Sequence, residues 1–456
     1  MDPTSRPAAT SSSLSSSLPA IRWDRRDALI ALLVFVAGLV VNLHAIPTTE
    51  FHRDEARWIH RARFVPELLH PTSAYWSDRE LMWGQPPLGS YLMGFGLLAQ
   101  GRDTRTNAFY DFHFDETWNR LHGAMPDERD LLAARRTNAA VGAAIAACIY
   151  LVAAGILSRA AGLVAALMYI PHALAIYLGS LAGSDALLGL LVGLAALAAM
   201  LLAARPSWPR AVILGVIAGL GASTKLSPIF ITIPLALLGV VLVAQAVISG
   251  RTDGSQRAAL GWKLMATPAI AFTTFVASYP YLWPDPFGRT LSLLQFRQRE
   301  MYNQGRIWPE LDVTGPAHAI ERIGWWLSVD NSVTGNAAEG IAGLLGLQVD
   351  LIGIDLLLAI GGAAVLAVLV WWRGIASPTA LAALVLGAEV AIVVAGMRAD
   401  FARYLMPILV AQAVCIGILA GAIVEAVADL IAQRSSRRAQ SGPAIPELPP
   451  EPGAVE

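Results

Sequence analysis

In the first polar region of the chain, two adjacent acid pairs follow a Phe-His dipeptide. They are Asp54-Glu55 in "FHRDEARW" and Asp115-Glu116 in "FHFDETW". A carboxylate beside a hydroxyl group can accept its proton as a general base, and a carboxylate beside a guanidinium can form an ion pair. Each pair is therefore a candidate for acid–base chemistry.

The first pair lies in a stretch with a helical pattern of charges. If "DEARWIHRAR" is a helix, Asp54, Arg57, Trp58 and Arg61 share one face, because residues three, four and seven positions apart lie on the same side. This pattern puts an acid beside two guanidiniums and an aromatic ring. The alternative interpretation is an interfacial helix with solvated ion pairs and a tryptophan anchor.

The composition indicates which elements position these residues. Of the 456 residues, 55% are hydrophobic and 15% are charged, the mean hydropathy is +0.53 and the net charge is −1. Apolar runs of about 20 residues recur, which is the length of a helix that crosses a bilayer. The balanced charge gives no indication of nucleic-acid binding. Both cysteines lie inside apolar runs, so neither a disulfide framework nor a zinc cluster is predicted. We predict an all-α, polytopic transmembrane helix bundle.

Ten apolar runs are predicted to cross the membrane. They are residues 28–46, 137–157, 161–178, 186–204, 211–222, 228–249, 264–282, 351–372, 379–396 and 401–424. Residues 86–100 are apolar but short, so we predict a re-entrant or interfacial segment; a crossing there would make eleven spans. The first run is long enough for a retained anchor rather than a cleaved signal peptide. We predict disordered cytoplasmic tails at 1–27 and 433–456, on either side of one transmembrane domain at 28–432.

Basic residues in the short loops predict the orientation of the bundle. With the N-terminus inside, the inner segments hold thirteen arginines and lysines, whereas the short outer loops hold only Lys225, Arg398 and Arg403. Both termini are therefore predicted to be cytoplasmic. The two long polar regions, 47–136 and 283–350, then lie outside and are predicted to contain interfacial helices, one of them in "HAIERIGWWLSVDN" (318–331).

The distribution of polar residues favours an active site on the outer surface. The inner loops are short connectors, and most polar residues lie in the outer loops. A transporter more often carries ionisable residues in the middle of the membrane, within two repeated halves. We find no such repeat, and Glu389, the main acid within an apolar run, is expected to pair within the bundle.

Three further motifs follow the first acid pair in a fixed order. They are "WGQPPLGSYLMGFG" with paired prolines, "GLGASTKLSP" with Lys225, and "RYLMPIL" with Arg403 and Tyr404. This order resembles the GT-C membrane glycosyltransferases that use polyprenyl-phosphate sugars. The chain is most similar to the protein O-mannosyltransferases (glycosyltransferase family 39) and the aminoarabinose lipid A transferases, over most of its length between the tails.

The resemblance implies sugar transfer with inversion on the outer face of the membrane. Asp54 matches the catalytic acid of these families and is expected to act as general base, with Glu55 as its companion. Fixed cations would stabilise the charge that grows on the leaving lipid phosphate. The expected donor-phosphate ligands are Arg57, Gln85, Lys225, Arg403 and Tyr404, and Asp185 in "AGSDALL" is a second candidate acid. Gln85 departs from the family pattern, in which Lys or His commonly precedes the paired prolines.

Several alternatives remain open at this stage. The sugar is a hexose such as mannose or a pentose, and the acceptor is a protein, lipid or glycan. No cofactor is predicted, and a divalent metal is not expected because the His and Asp spacings resemble no ligand pattern. A metal-dependent lipid-linked oligosaccharide transferase and a flippase of lipid-linked intermediates are the rival functions.

The arginine-rich, alanine-rich composition suggests a bacterial plasma membrane. Asp115-Glu116 lies in a stretch resembling an insertion that covers the site.

Overall fold

The structure, a computed structural model, describes residues 21, 23–83, 85–249, 254–328, 332–351 and 353–440. Within these residues the regular structure is helical, apart from one isolated antiparallel bridge between Asp312 and Ala399. The predicted all-α helix bundle is therefore confirmed.

The helices that form the body of the bundle follow the apolar runs. They are α1 (Arg25–Ala45), α7 (Glu128–Ile156), α8 (Arg159–Tyr169), α9 (Ala173–Ser180), α10 (Asp185–Ala204), α11 (Trp208–Ala222), α12 (Ser227–Ser249), α13 (Gly254–Ala277), α17 (Ile354–Arg373), α18 (Pro378–Gly396) and α19 (Met406–Gln440).

Further helices occupy the two long polar regions. The first region holds α2 (Arg53–His60), α3 (Phe64–Glu67), α4 (Arg79–Met82), α5 (Leu88–Ala99) and α6 (Glu116–Leu121), and the second holds α14 (Pro286–Ile307), α15 (Pro316–Ser328) and α16 (Val333–Leu344). Single 3-10 turns lie at Ile46–Thr48, Arg61–Arg63, Ala74–Ser77, Pro280–Leu282, Pro309–Leu311 and Ala402–Leu405. The predicted helix at 318–331 is part of α15, and its last three residues lie outside the described residues.

Eight described helices are long and apolar enough to cross a membrane, or nine spans if the bent pair α8–α9 counts as one. The sequence predicted ten. The third predicted span is bent by 69° between α8 and α9, where Pro171 stands and cannot continue the hydrogen-bond ladder. The fifth, α11, has only 15 residues, and α5 is a short apolar helix of 12 residues.

The bent pair α8–α9 still runs the full height of the bundle. At the start of α8, the Arg159 Nε donates to Asp27 Oδ1 near the start of α1 over 2.9 Å. At the end of α9, the Ser180 hydroxyl lies 2.8 Å from the Thr49 hydroxyl, just past the end of α1. We call the end of the bundle that contains Thr49 and Ser180 the polar end, because both long polar regions begin there.

The short helix α11 also connects the two ends. Near its start, the Arg210 Nη1 donates to the Leu201 carbonyl at the end of α10 over 2.9 Å. Just after its end, Lys225 pairs with Asp185, the first residue of α10, at the polar end. The third and fifth predicted segments therefore run between the two ends of the bundle, although the third is bent and the fifth is shorter than a membrane-spanning helix.

The boundaries of the predicted tails differ from the helix ends. α1 begins at Arg25 because Asp24 caps it and Asp27 reaches back to the Asp24 amide, which forms a capping box. α19 continues to Gln440, beyond the predicted boundary at 432. Residues 1–20 and 441–456 of the predicted tails lie outside the described residues.

Small residues bring the last helix close to its neighbour α8. A Cβ at Gly417 would lie 2.4 Å from the Ala161 carbonyl oxygen, and one at Gly421 would lie 2.6 Å from the Ala161 Cβ. Transmembrane helices use such residues because close backbone approach increases van der Waals contact where no water drives association. This contact fixes α19, and the 3-10 turn Ala402–Leu405 directly before it lies at the polar end.

Candidate active site

Glu55 anchors α2 to the bundle. Its side chain is buried, and Arg135 of α7 binds it through two parallel bonds, Nε to Oε1 and Nη2 to Oε2, both 2.8 Å long. The Ala182 amide also donates to Oε1 (2.8 Å), and the His52 amide donates to Oε2 (2.9 Å). Both oxygens therefore accept two hydrogen bonds, and these bonds fix the position of the neighbouring Asp54.

Asp54 lies in the first turn of α2, where it is partly exposed. His52 caps this helix, since its Nδ1 accepts from the Asp54 amide over 3.2 Å. The Asp54 Oδ2 pairs with the Arg403 guanidinium, which the 3-10 turn before α19 presents. The side chains of Asp54 and Arg403 are 24% and 29% exposed, so an external ligand can reach both.

A second acid–cation pair lies beside the first. The Lys225 ammonium, just after α11, pairs with the Asp185 carboxylate at the start of α10. The same ammonium lies 5.1 Å from the centre of the Tyr404 ring, and the Arg403 Cζ lies 5.8 Å from that ring. Tyr404 therefore stands between the two cations. The structure brings five of the predicted site residues together, although their roles remain predictions.

The paired prolines are fixed next to this cluster. The Leu88 amide donates to the Ser223 carbonyl over 2.8 Å, and Ser223 lies two residues before Lys225 in the chain. A Cβ at Gly89 would lie 2.7 Å from the Ser184 Cβ and 2.8 Å from the Trp58 ring. Only glycine fits there, so α5 begins in contact with both α2 and the residue before Asp185.

Gln85, the residue before the paired prolines, is bound by a buried arginine. The Arg61 Nη1 donates to the Gln85 side-chain oxygen over 2.7 Å, and its Nη2 donates to the Gln85 backbone oxygen. Arg61 is 2% exposed, and burial lowers its pKa to about 10. The predicted helical face placed Arg61 near Asp54, but nothing in the pattern indicated its bonds to Gln85.

Arg57, a predicted phosphate ligand, contacts the loop that precedes α6. Its Nε donates to the Tyr110 carbonyl over 3.0 Å, and its Cζ lies 4.2 Å and 3.9 Å from the centres of the Phe109 and Phe112 rings. His60 fixes the same loop, because its Nδ1 lies 2.9 Å from the Asn107 carbonyl oxygen. This loop therefore covers α2.

The second acid pair has a local structural role in this loop. Asp115 caps α6 and accepts from the Trp118 amide over 2.8 Å, and Glu116 is exposed in the first turn. The rings of Phe114, Trp118 and His122 stack along the same helix with centroid distances of 4.0 and 3.8 Å. The role that the structure gives Asp115 is therefore that of the N-cap of α6.

Sequence reasoning missed two residues of this region. Arg135 is one of two adjacent arginines about two turns into α7, and the sequence does not indicate which one turns inward. Ser227 donates to the Glu389 Oε1 over 2.9 Å, while the buried Glu389 Oε2 has no hydrogen-bond partner within the described part of the chain. The predicted pairing of Glu389 within the bundle is thus with a hydroxyl group.

No three His, Cys, Asp or Glu side chains converge as a possible metal site within the described ranges. The two acids of the cluster, Asp54 and Asp185, each face a cation. The chemistry available from these side chains is proton acceptance by a carboxylate and binding of an anion by guanidinium and ammonium groups.

The fold and the site define an all-α integral membrane protein with paired acids and cations at one end of the bundle. Residues 64–278 match the family model for dolichyl-phosphate-mannose-protein mannosyltransferases. The predicted resemblance to the glycosyltransferase family 39 group is therefore confirmed. A comparison with curated protein sequences gives no significant match.

Several solved structures are similar to the chain. They include the Saccharomyces cerevisiae protein O-mannosyltransferase Pmt1-Pmt2 complex bound to the sugar donor (15% identity, TM-score 0.42, 58% of this chain and 35% of that one). The apo Archaeoglobus fulgidus oligosaccharyltransferase is 14% identical with a TM-score of 0.49, over 91% of this chain and 52% of that one. ArnT from Cupriavidus metallidurans bound to undecaprenyl phosphate is 16% identical with a TM-score of 0.43, over 85% of this chain and 59% of that one. The chain thus spans 35% to 59% of the length of these three proteins.

Proposed function

We propose that the protein is a glycosyltransferase that moves a sugar from a polyprenyl phosphate to a hydroxyl group outside the cytoplasm. The observation that carries the proposal is the Asp54–Arg403 pair beside the Lys225–Asp185 pair at the polar end. The family match supports a lipid-phosphate-linked sugar as the donor. The transmembrane domain at 28–432 is proposed as the catalytic unit.

Asp54 is the proposed general base. The acceptor oxygen attacks the anomeric carbon, the bond from that carbon to the phosphate oxygen breaks, and polyprenyl phosphate leaves with the bonding electrons. The hydroxyl proton passes to the Asp54 carboxylate, a contribution to rate of about 10²–10⁴-fold. Attack opposite to the leaving group inverts the anomeric configuration.

Arg403 and Lys225 are proposed to bind the donor phosphate, with Tyr404 between them. Each cation has an acidic partner, so the phosphate must compete with Asp54 for Arg403 and with Asp185 for Lys225. Release of Asp54 from Arg403 as the donor binds would free its carboxylate to act as base. Glu55 is proposed to position Asp54 rather than to touch the substrate, since protein groups use both of its oxygens.

The remaining predicted partners and the location form part of the same proposal. Arg57 is proposed to bind the donor from beneath the loop at 109–112. The acceptor is a protein, lipid or glycan, and the sugar is a hexose such as mannose or a pentose. The protein is proposed to lie in a bacterial plasma membrane, with the polar end outside and both termini in the cytoplasm.

One assay tests the proposal. Purified protein is incubated with polyprenyl-phosphate hexose or pentose and a mixture of candidate acceptors, and release of polyprenyl phosphate is measured with and without EDTA. We expect release that persists in EDTA and is lost in Asp54→Asn. Release abolished by EDTA would support the metal-dependent oligosaccharide transferase instead. Movement of labelled lipid across liposomes without sugar release would support a flippase.

A further inference from the structure

Arg61 is a buried cation with neutral partners. Its guanidinium contacts the Trp58 and Phe64 rings, with the Cζ 5.3 Å and 5.2 Å from their centres. Two of its nitrogens donate to the two oxygens of Gln85, and its buried Nε has no hydrogen-bond partner among the described residues. Among the side chains that the structure describes, no carboxylate lies within ion-pair distance of it.

Burying a charge in such surroundings is strongly unfavourable unless an anion compensates it. Burial lowers the pKa of Arg61 to about 10, so the guanidinium remains protonated at neutral pH. A buried positive charge therefore stands permanently behind Gln85. An apolar side chain of similar size would fill the same space against the two rings at lower cost, so packing alone does not account for the charge.

The bond from Arg61 also fixes the orientation of the Gln85 amide. A guanidinium only donates hydrogen bonds, so the atom 2.7 Å from Nη1 must be the amide oxygen. The amide nitrogen therefore points away from Arg61 with its two donors. A bond from a cation to the amide oxygen also polarises the amide, which strengthens those donors.

Gln85 is partly exposed and lies next to the acid–cation cluster. Two residues separate it from Leu88, whose amide binds the Ser223 carbonyl over 2.8 Å, close to Lys225. Gly89 packs against Ser184, the neighbour of Asp185. Gln85 therefore lies at the same end of the bundle as the partly exposed Lys225 and Arg403.

We propose that Arg61 and Gln85 act as one phosphate-binding unit, in which the Gln85 amide donates to a phosphate oxygen and Arg61 supplies the charge from behind. Arg61 is then a positioning residue that touches Gln85 and not the ligand. Gln85, which precedes the paired prolines, is itself uncharged, and in this unit the positive charge comes from Arg61. The ligand class, a lipid phosphate, rests on the proposed function.

The first test is direct binding of polyprenyl phosphate to the full-length protein, with inorganic phosphate as a second probe. We expect Arg61→Met to weaken polyprenyl phosphate binding about 10- to 100-fold, the range for loss of a charge-assisted hydrogen bond. The matched control is Arg63→Met, because Arg63 also donates to backbone carbonyls, those of His60 (2.9 Å) and Asn107 (2.8 Å). We expect binding within about two-fold of wild type for this control.

Two further variants separate charge from packing. Gln85→Glu places a carboxylate against Arg61 and so compensates the charge of the guanidinium. We expect this variant to have normal thermal stability and to lose as much polyprenyl phosphate binding as Arg61→Met. Arg61→Met combined with Gln85→Lys moves the positive charge to position 85, and we expect binding to return to within about five-fold of wild type. In turnover, Arg61→Met should raise KM for the donor more than it lowers kcat.

Unchanged binding in a folded Arg61→Met or Gln85→Glu variant would overturn the proposal, and so would failure of the charge exchange to restore binding. If Arg61→Met does not fold, the Gln85→Glu variant decides alone. Equal loss of inorganic phosphate and polyprenyl phosphate assigns the unit to the phosphate group itself. Binding that depends on Arg61 in a protein that transfers no sugar would keep this inference and reject the proposed function.

Discussion

Asp54 and Arg403 form an ion pair although 349 positions separate them in the chain. The first residue stands on the short helix after the first span, and the second stands in the turn that opens the last one. Their contact brings the beginning and the end of the transmembrane domain together at the polar end. The pair also joins Asp54, the proposed base, to Arg403, a proposed ligand of the donor phosphate. Proton acceptance and phosphate binding therefore both depend on this one contact.

The two acid pairs are expected to respond differently to the same substitution. Asp54→Asn should lower the rate of sugar transfer by about 10²–10⁴-fold, because an amide cannot accept the hydroxyl proton. Asp115→Asn should retain activity within about three-fold, since asparagine caps a helix as well as aspartate does. Transfer assays on the two purified variants compare them directly. The reverse result would assign the chemistry to the second pair.

Binding of the product is expected to strengthen when Asp54 loses its charge. Without its carboxylate partner, Arg403 is free to bind phosphate. A partly exposed ion pair contributes about 1 kcal/mol or less, so Asp54→Asn should bind polyprenyl phosphate about three- to five-fold more tightly while turnover falls. Direct binding measurements check this, with Asp115→Asn as the control. Weaker binding by Asp54→Asn would contradict competition between the acid and the phosphate.

Glu55 is expected to affect stability as well as activity. Removing one partner of a buried ion pair costs about 3–5 kcal/mol, because the other charge is left uncompensated. Glu55→Gln should therefore lower the thermal unfolding temperature in detergent, and Arg135→Met should lower it by a similar amount. Glu116→Gln, at an exposed position, serves as the control. A stable, folded Glu55→Gln variant without activity would instead indicate direct participation in the chemistry.

Stability should fall as the pH falls from 6.5 towards 4, partly through His60. Burial lowers the pKa of His60 to about 4, so in this window the unfolded chain binds a proton that the folded protein does not. The effect is on the order of 3 kcal/mol at the acid end. Thermal unfolding at several pH values should show a shallower decline in His60→Gln. The control is His113→Gln, because the His113 side chain is 90% exposed. Identical declines in wild type and His60→Gln would refute this assignment.

The proposed orientation can be tested with single cysteines. Ser77 lies in the first polar region and Ser255 near the start of α13, and both are exposed. After removal of Cys148 and Cys415, Ser77→Cys should react with a membrane-impermeant thiol reagent in intact cells. Ser255→Cys should react only after the membrane is opened. Equal labelling of both from outside would contradict the proposed topology.

Much of the fold could be predicted because hydropathy is a local property. A run of about 20 apolar residues requires a helix in a bilayer, whatever else the chain contains. The segments at 228–249 and 379–396 therefore agree closely with α12 and α18. The sharp bend at Pro171 was not predicted, because a proline within an apolar run permits either a kinked span or two separate helices.

The candidate site was predictable only in part. The order of motifs indicated Asp54, Lys225 and Arg403, and the structure brings them together at one end of the bundle. The partners of these residues were not predictable. Arg135 binds Glu55 across 80 positions, and Arg61 binds Gln85 across 24.

The sequence by itself determined the apolar helices, their order along the chain and the positions of the charged residues between them. The tertiary structure decided which acid pairs with which cation, which of the two acid pairs is accessible beside the cations, and that a buried arginine stands behind Gln85. The reason is physical. Helix formation in a membrane depends on consecutive residues, whereas ion pairs depend on where the helix ends meet, and packing contacts far along the chain determine that.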